Sequence, residues 1–330
     1  MEAFIRGCAW PGTREVPYPR AKPDDASRLP IDTWGTARTP VGVRIEWVGS
    51  APSVAITYRT ETSDLGYRGA GAGTTFQLWR SGELRDEQPA ELGEGRVELA
   101  AGDGAARAIV YLPEGMRPTV LAVDALDGEI EPAPAQPKWL AYGDSVAEGW
   151  CASSPAGAWP ALAGRRYNLD VRNLGYAGAA RGEIVSAEQL AGVAASVISI
   201  THGTNCWTRV PFSEGMLYEG TRAFLEVVRQ GHPETPIVVV SPVVRPDAEA
   251  TPNRLGATLA DLRRAMERAT DERIGAGDDR LWLIPGGDLL RPEHLSDGIH
   301  PDDAGHEILA EVIGTKVAEV AKLVDAGSVP

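Results

Sequence analysis

The sequence predicts a two-part chain. An all-β, jelly-roll-like sandwich precedes an α/β unit in which helices flank a parallel sheet. Three observations predict this. Short runs that alternate apolar and polar residues, with Gly and Pro turns between them, fill residues 41 to 123, the pattern of a sandwich. A Pro-Ala-Pro-Ala-Gln-Pro stretch at 132–137 reads as a stiff linker. Beyond it, strand and helix patterns alternate, which gives a parallel sheet covered on both sides.

Residues 1 to about 38 are rich in Pro, Asp and Arg and lack periodicity, so an irregular arm packed on a neighbouring element is expected there. Strands are expected at 41–48, 53–60, 74–80, 96–99, 106–112 and 119–123. The four glycines from Gly66 to Gly73 mark a loop. The arm and sandwich thus take residues 1–131, the linker 132–137, and the α/β unit 138–330. Within the last, strands are expected at 138–143, 170–175, 196–201, 236–241 and 281–284. Helices are expected at about 158–167, 183–192, 214–230, 255–274 and 302–324. The run Ile237-Val-Val-Val-Ser241 is typical of a strand buried on both faces.

The chemistry gathers at the ends of these strands. The first α/β strand runs into Gly143-Asp-Ser145, a sharp turn that exposes a hydroxyl. Where a strand gives way to a helix, freed backbone N–H groups can stabilise an anion beside that hydroxyl. A serine needs a general base, and His300 in Asp297-Gly-Ile-His300-Pro301 stands just before the last helix, at the same sheet edge. In a loop, Asp297 can reach its Nδ1–H while Nε2 faces Ser145. Asp144 is expected to order the turn through backbone hydrogen bonds. Two further loops, Asn173-Leu-Gly-Tyr-Ala-Gly178 and Thr201-His-Gly-Thr-Asn205, leave that edge. The N–H groups of Ser145 and Gly178 and the side-chain amide of Asn205 can supply three oxyanion donors.

Together, Gly143-Asp-Ser145, Asn173-x-Gly-x-x-Gly178, Gly203-Thr-Asn205 and Asp297-x-x-His300 resemble the four blocks of the SGNH (GDSL) hydrolase superfamily, in order, over residues 138 to about 306. The resemblance implies a flavodoxin-like sheet and an esterase. It implies Ser145 as nucleophile, His300 as base, Asp297 as its orienter, and Gly178 and Asn205 as oxyanion donors. The sandwich resembles the amino-terminal module of two-domain, carbohydrate-esterase-like members. Two positions depart from the family pattern: Cys206 follows the block-three Asn, where Asp is common, and Thr204 precedes it. The context of Ser145 is not G-x-S-x-G, which argues against an α/β-hydrolase elbow.

Trp150, Trp207 and His202 adjoin these blocks and are candidate substrate contacts. His232 and His306 read as structural, Glu148 as a surface charge, and Cys151 and Cys206 as unactivated thiols. No metal constellation, P-loop or dinucleotide fingerprint appears, so no cofactor is expected. A net charge of −14 argues against nucleic acid or an anionic membrane as partner. Three dispersed cysteines make no disulfide framework. With no apolar leader at the start, a cytoplasmic protein is expected, and export stays open. The expected partner is a small-molecule ester, an acetyl or short acyl group on a sugar or metabolite by family analogy, and homo-oligomerisation stays open. Acyl transfer through the same acyl-enzyme is a second outcome, and a carbohydrate-binding protein with a vestigial site a third. The sandwich either walls the active-site cleft or supports the fold.

Overall fold

The computed structural model describes residues 1–66 and 73–326. Most of the expected Gly66–Gly73 loop therefore lies outside the described residues. Among the described residues eight strands precede the linker: β1 (Ile5–Arg6), β2 (Arg44–Val48), β3 (Ser53–Thr60), β4 (Thr75–Arg80), β5 (Glu83–Pro89), β6 (Gly93–Ala100), β7 (Ala108–Tyr111) and β8 (Thr119–Leu126). A short β9 (Glu131–Pro132) enters the linker itself and pairs with β2. One antiparallel sheet runs β1-β2-β7-β4-β5, and a second runs β6-β3-β8. Ile45, Trp47, Ile56, Phe76, Leu78, Leu99 and Val110 fill the core of this β module. Strand β5 escapes a pattern search because its sequence, Glu-Leu-Arg-Asp-Glu-Gln-Pro, is mostly charged; it lies at the end of its sheet and is largely exposed.

Beyond the linker come β10 (Lys138–Gly143), β11 (Asp170–Gly175), β12 (Val197–Thr201), β13 (Ile237–Val240) and β14 (Leu281–Ile284). They form one parallel sheet in the order β11-β10-β12-β13-β14, the flavodoxin-like order that was expected. Helices α3 (Trp159–Tyr167) and α7 (Asp303–Ala326) contribute to the core on one face, with Trp139, Trp159, Val238 and Leu309. Helices α4 (Ile184–Ala191), α5 (Glu214–Gly231) and α6 (Leu259–Gly275) cover the other, with Leu140, Ile198, Phe224 and Leu262. Helix α6 starts later than its periodicity implies because Thr258 and Asp261 close a capping box there. Register sets Gly143 level with both Gly175 and Thr201. Three loops therefore leave the sheet side by side, beside the point where strand order reverses, which is where such sheets bind ligands.

The amino-terminal arm is less irregular than its sequence implies. It holds a short helix α1 (Ile31–Ala37), and Ala21, Leu29 and Ala37 are buried in the α/β core. Phe4, Ile5, Cys8 and Tyr18 pack instead on the core of the β module. The arm thus spans both layers. The layers are also joined by Arg44, which donates to Glu46 at 2.6 Å, to Asp170 at 3.0 Å and to the Val171 carbonyl at 2.9 Å. The linker is tied down as well: Arg107 donates to the Pro134 carbonyl at 2.6 Å and to Gln136 at 3.2 Å. No described helix is long and apolar enough to cross a membrane.

Candidate active site

Strand β10 ends at Gly143, and the chain turns at once into α2 (Ser145–Glu148). Asp144 caps this one-turn helix by accepting from Val146 N–H at 3.0 Å, and Gly149, in the left-handed region, ends it. Ser145 is therefore the first helical residue, and its own N–H has no intrahelical partner. Burial pushes the Asp144 carboxyl up to about 6, against the pull of hydrogen bonds from Val146 and Thr204. The Asp144–Thr204 bond ties the Ser145 turn to the loop after β12.

His300 stands between Ser145 and Asp297. Its Nε2 lies 2.9 Å from Ser145 Oγ, and its Nδ1 lies 2.7 Å from Asp297 Oδ2. The second oxygen of Asp297 accepts from Ile299 N–H at 3.0 Å and from His300 N–H at 2.8 Å, around Gly298 at φ +79°. One carboxylate thus shapes the turn and orients the ring. Partial burial works to raise the Asp297 pKa, but the His300 side chain and the two backbone donors outweigh it and hold the carboxylate below its usual range. An imidazole so placed can take a hydroxyl proton on one side while the carboxylate stabilises the resulting cation on the other.

Gly178 and Asn205 come to the same place. Gly178 lies at φ +69°, which favours glycine. Asn205 sits in a single 3-10 turn, and its amide donates one hydrogen to the Ala179 carbonyl, joining the two loops and leaving a second hydrogen. Among the described residues the backbone N–H groups of Ser145 and Gly178 have no backbone acceptor. Ser145, Trp150, Gly178, Asn205 and His300 line one open cleft of about 370 Å³. Among the described residues all that line it lie at or beyond Ser145, so the described β module contributes none of them. Trp150 places its ring 5.3 Å from that of His300.

Two expected substrate contacts are not in this cleft. Trp207 packs against the α/β core, donates to the Thr251 carbonyl at 2.8 Å, and lies under the Arg245 guanidinium at 4.9 Å. It supports a cleft residue without lining the cleft. His202 points inward because it follows the end of a buried strand, with Tyr142 and Phe224 each 5.7 Å from its ring. Burial lowers its pKa to about 4, which keeps it neutral. His306 is structural, as expected: it accepts from Trp159 N–H at 3.3 Å and donates to the Trp150 carbonyl at 2.9 Å, fixing the Trp150 segment. His232 likewise bridges Thr235 and the Leu190 carbonyl.

Sequence reasoning missed a buried ion pair beneath the cleft. Glu148 is no surface charge: its side chain is 1% exposed, and Arg20 of the arm donates to it at 3.2 Å. Glu148 also accepts from the Ala177 N–H, next to Gly178, and Arg20 donates to the Gly175 carbonyl. Glycine is required at 175, since a Cβ there would meet the Glu148 nitrogen at 2.3 Å. Asn173, part of the Asn-x-Gly-x-x-Gly block, donates to the Ala147 carbonyl at 2.9 Å and so holds β11 to α2. No local signal marks Arg20, which stands in a Pro-rich loop. Cys151, at φ +63°, places its sulfur 3.9 Å from Asp297 Oδ2. Burial raises its pKa, and the adjacent carboxylate adds to this, so the thiol stays protonated. Among the described residues Cys151, Asp297 and His300 are the group whose ligand atoms, within 4.8 Å of one another, could hold a metal ion.

The model of the GDSL-like lipase/acylhydrolase family matches residues 137–318. No curated protein matches the chain. A solved structure described as a GDSL-like lipase, from Bacteroides ovatus, is 20% identical with a TM-score of 0.78, over 96% of this chain and 95% of that one. The salicylyl-acyltransferase SsfX3 of a tetracycline biosynthetic pathway is 23% identical with a TM-score of 0.79, over 99% and 95%. The acetyl xylan esterase Est2A from the rumen bacterium Butyrivibrio proteoclasticus is 14% identical with a TM-score of 0.63, over 97% and 96%. These likenesses show a shared fold that spans both parts of the chain. The family match covers more than half of the 330 residues and includes Ser145, Gly178, Asn205, Asp297 and His300, so the chain belongs to the GDSL-like lipase/acylhydrolase family.

Proposed function

We propose that this chain is a serine esterase that cleaves a small carboxylic ester through an acyl-enzyme. One observation carries the reading: His300 links Asp297 at 2.7 Å to Ser145 at 2.9 Å, and Ser145 and His300 line an open cleft. Ser145 Oγ attacks the ester carbonyl, and its proton passes to His300 Nε2. The oxyanion meets the N–H groups of Ser145 and Gly178 and the remaining amide hydrogen of Asn205. The tetrahedral intermediate collapses, and His300 returns the proton to the departing alcohol. Water then attacks the acyl-enzyme, giving its proton to His300, and the carboxylic acid leaves as Ser145 is restored.

In this reading residues 138–330 carry the chemistry and residues 1–131 hold its geometry. A short acyl group, acetyl first, on a sugar or small metabolite is the proposed substrate; the likeness to an acetyl xylan esterase supports it. Acyl transfer is the second reading, since an alcohol can replace water in the last step, and the likeness to an acyltransferase favours testing it. Added alcohols in the assay, with both products measured, separate the two.

Ser145→Ala is expected to abolish hydrolysis of p-nitrophenyl acetate while circular dichroism and melting temperature stay native. A folded variant with near wild-type turnover overturns the assignment. A wild-type protein that neither turns over nor takes a fluorophosphonate label at Ser145 returns the chain to a binding role.

A further inference from the structure

The charge of the cleft opposes that of the chain. The sequence carries 46 Asp and Glu against 32 Lys and Arg, so an average patch of surface is acidic. Yet among the described residues no Asp or Glu lines the cleft around Ser145, and two arginines do, Arg209 and Arg245. Both stand on loops that leave the carboxyl edge of the sheet, Arg209 four residues after Asn205 and Arg245 five after the end of β13.

The two arginines are held differently. Arg245 is nearly buried, and Asp247 takes its Nε at 2.9 Å and its Nη2 at 3.0 Å. Trp207 lies 4.9 Å beneath the guanidinium, which fixes its plane. Its Nη1 has no acceptor among the described residues. Arg209 is exposed, and among the described residues its side chain makes no hydrogen bond or ion pair. Of the other acids, Glu249 is paired with Arg263 at 2.6 Å, and Asp297, which accepts from His300 at 2.7 Å, keeps its negative charge but does not line the cleft. The cleft therefore presents one uncompensated cation and one fixed fork with an open edge. A guanidinium fork matches a carboxylate or phosphate in two parallel hydrogen bonds.

We propose that the cleft selects esters bearing an anionic group, a carboxylate or phosphate, which Arg209 and the open edge of Arg245 hold while the carbonyl lies at Ser145. The proposal rests on the esterase reading above and names its substrate class. Electrostatic attraction of this kind raises kcat/KM chiefly through binding, and salt screens it.

The test compares four esters on the full chain, each also with Ser145→Ala. p-Nitrophenyl acetate is the neutral reference for p-nitrophenyl hemisuccinate, which carries its charge on the acyl side. Methyl 4-acetoxybenzoate is the neutral reference for 4-acetoxybenzoate, which carries it on the alcohol side. In at least one pair the charged ester is expected to have a kcat/KM about tenfold higher at low salt, after correction for intrinsic hydrolysis, and the advantage shrinks with added NaCl. Arg209→Glu is expected to cut that ratio about tenfold, mainly through KM, and Arg209→Lys to keep part of it. The pair that responds tells which side of the ester carries the charge. Ratios near one in both pairs, or a ratio that Arg209→Glu leaves unchanged, overturn the inference while Ser145-dependent turnover keeps the esterase reading. Absence of Ser145-dependent turnover of all four overturns the esterase reading and this inference with it.

Discussion

Asp144 is sealed beneath the Ser145 turn, and its raised pKa makes a pH-dependent stability term. Its carboxyl titrates near 6 in the folded chain, against 3.8 as the reference value. Below about pH 4 both states are protonated, and the neutral acid fits its buried place. As pH rises through the window from 4 to 6 the unfolded chain gives up its proton first, so this contribution to stability is lost, by about 3 kcal/mol at 1.36 kcal/mol per unit. Asp144→Asn keeps an oxygen to cap Val146 but cannot ionise. Its stability relative to wild type is therefore expected to be higher at pH 7 than at pH 4, as urea unfolding at the two values will measure. At the same scale, the proposed roles of His300 and Asp297 separate kinetically. His300→Ala removes the base and is expected to lose about 10⁴-fold or more in kcat, whereas Asp297→Ala leaves the imidazole on Ser145 and loses about tenfold to a hundredfold less. Equal losses in steady-state kinetics would count against these roles.

At the scale of elements, α2 and the loop carrying Gly178 are locked together from below by the arm. Arg20 reaches the Gly175 carbonyl and Glu148, and Glu148 reaches Ala177 N–H. Breaking one half of a buried pair strands a charge, which costs about 3–5 kcal/mol. Arg20→Met is therefore expected to lower the melting temperature sharply. The double change Arg20→Met with Glu148→Gln is expected to be less destabilised than the two single changes summed, because no charge is then left unpaired. A thermal-denaturation cycle that shows strict additivity rejects this coupling. The element is also instructive about reading sequences. Gly-Asp-Ser and Asp-Gly-Ile-His are legible because each sits within a few residues of a strand or helix end and performs its geometry locally. Glu148 and Arg20 are 128 positions apart, so neither carries a sign of the other.

Across the whole molecule, the two layers are not independent bodies joined by a string. Ala21, Leu29 and Ala37 fill the α/β core, and Arg44 places its charge between Glu46 and Asp170. A fragment of residues 138–330 alone would expose that apolar face and leave Asp170 without Arg44. It is expected to be insoluble or to lack a cooperative unfolding transition. The same fragment with native circular dichroism and a sharp melting curve would show that the arm is dispensable. Among the described residues the cleft draws nothing from the β module, so the module's influence on chemistry is expected to run through the stability of the turns below the site.

The sequence by itself determined the alternation of β and α elements and the residues that meet at the edge of the parallel sheet. These follow from short-range physics: apolar periodicity, turn chemistry, and chain connections that bring successive strand ends to one side. Only the tertiary structure decided which neighbours of those residues face the cleft. His202 and Trp207 are adjacent in sequence to the right blocks, yet one is turned into the core and the other lies beneath Arg245. Arg20, Arg209 and Arg245 show the converse, since charges on separate loops acquire meaning only when packing sets them beside one another. Side-chain direction and long-range pairing are set by the whole core at once, and no local window of residues contains that information.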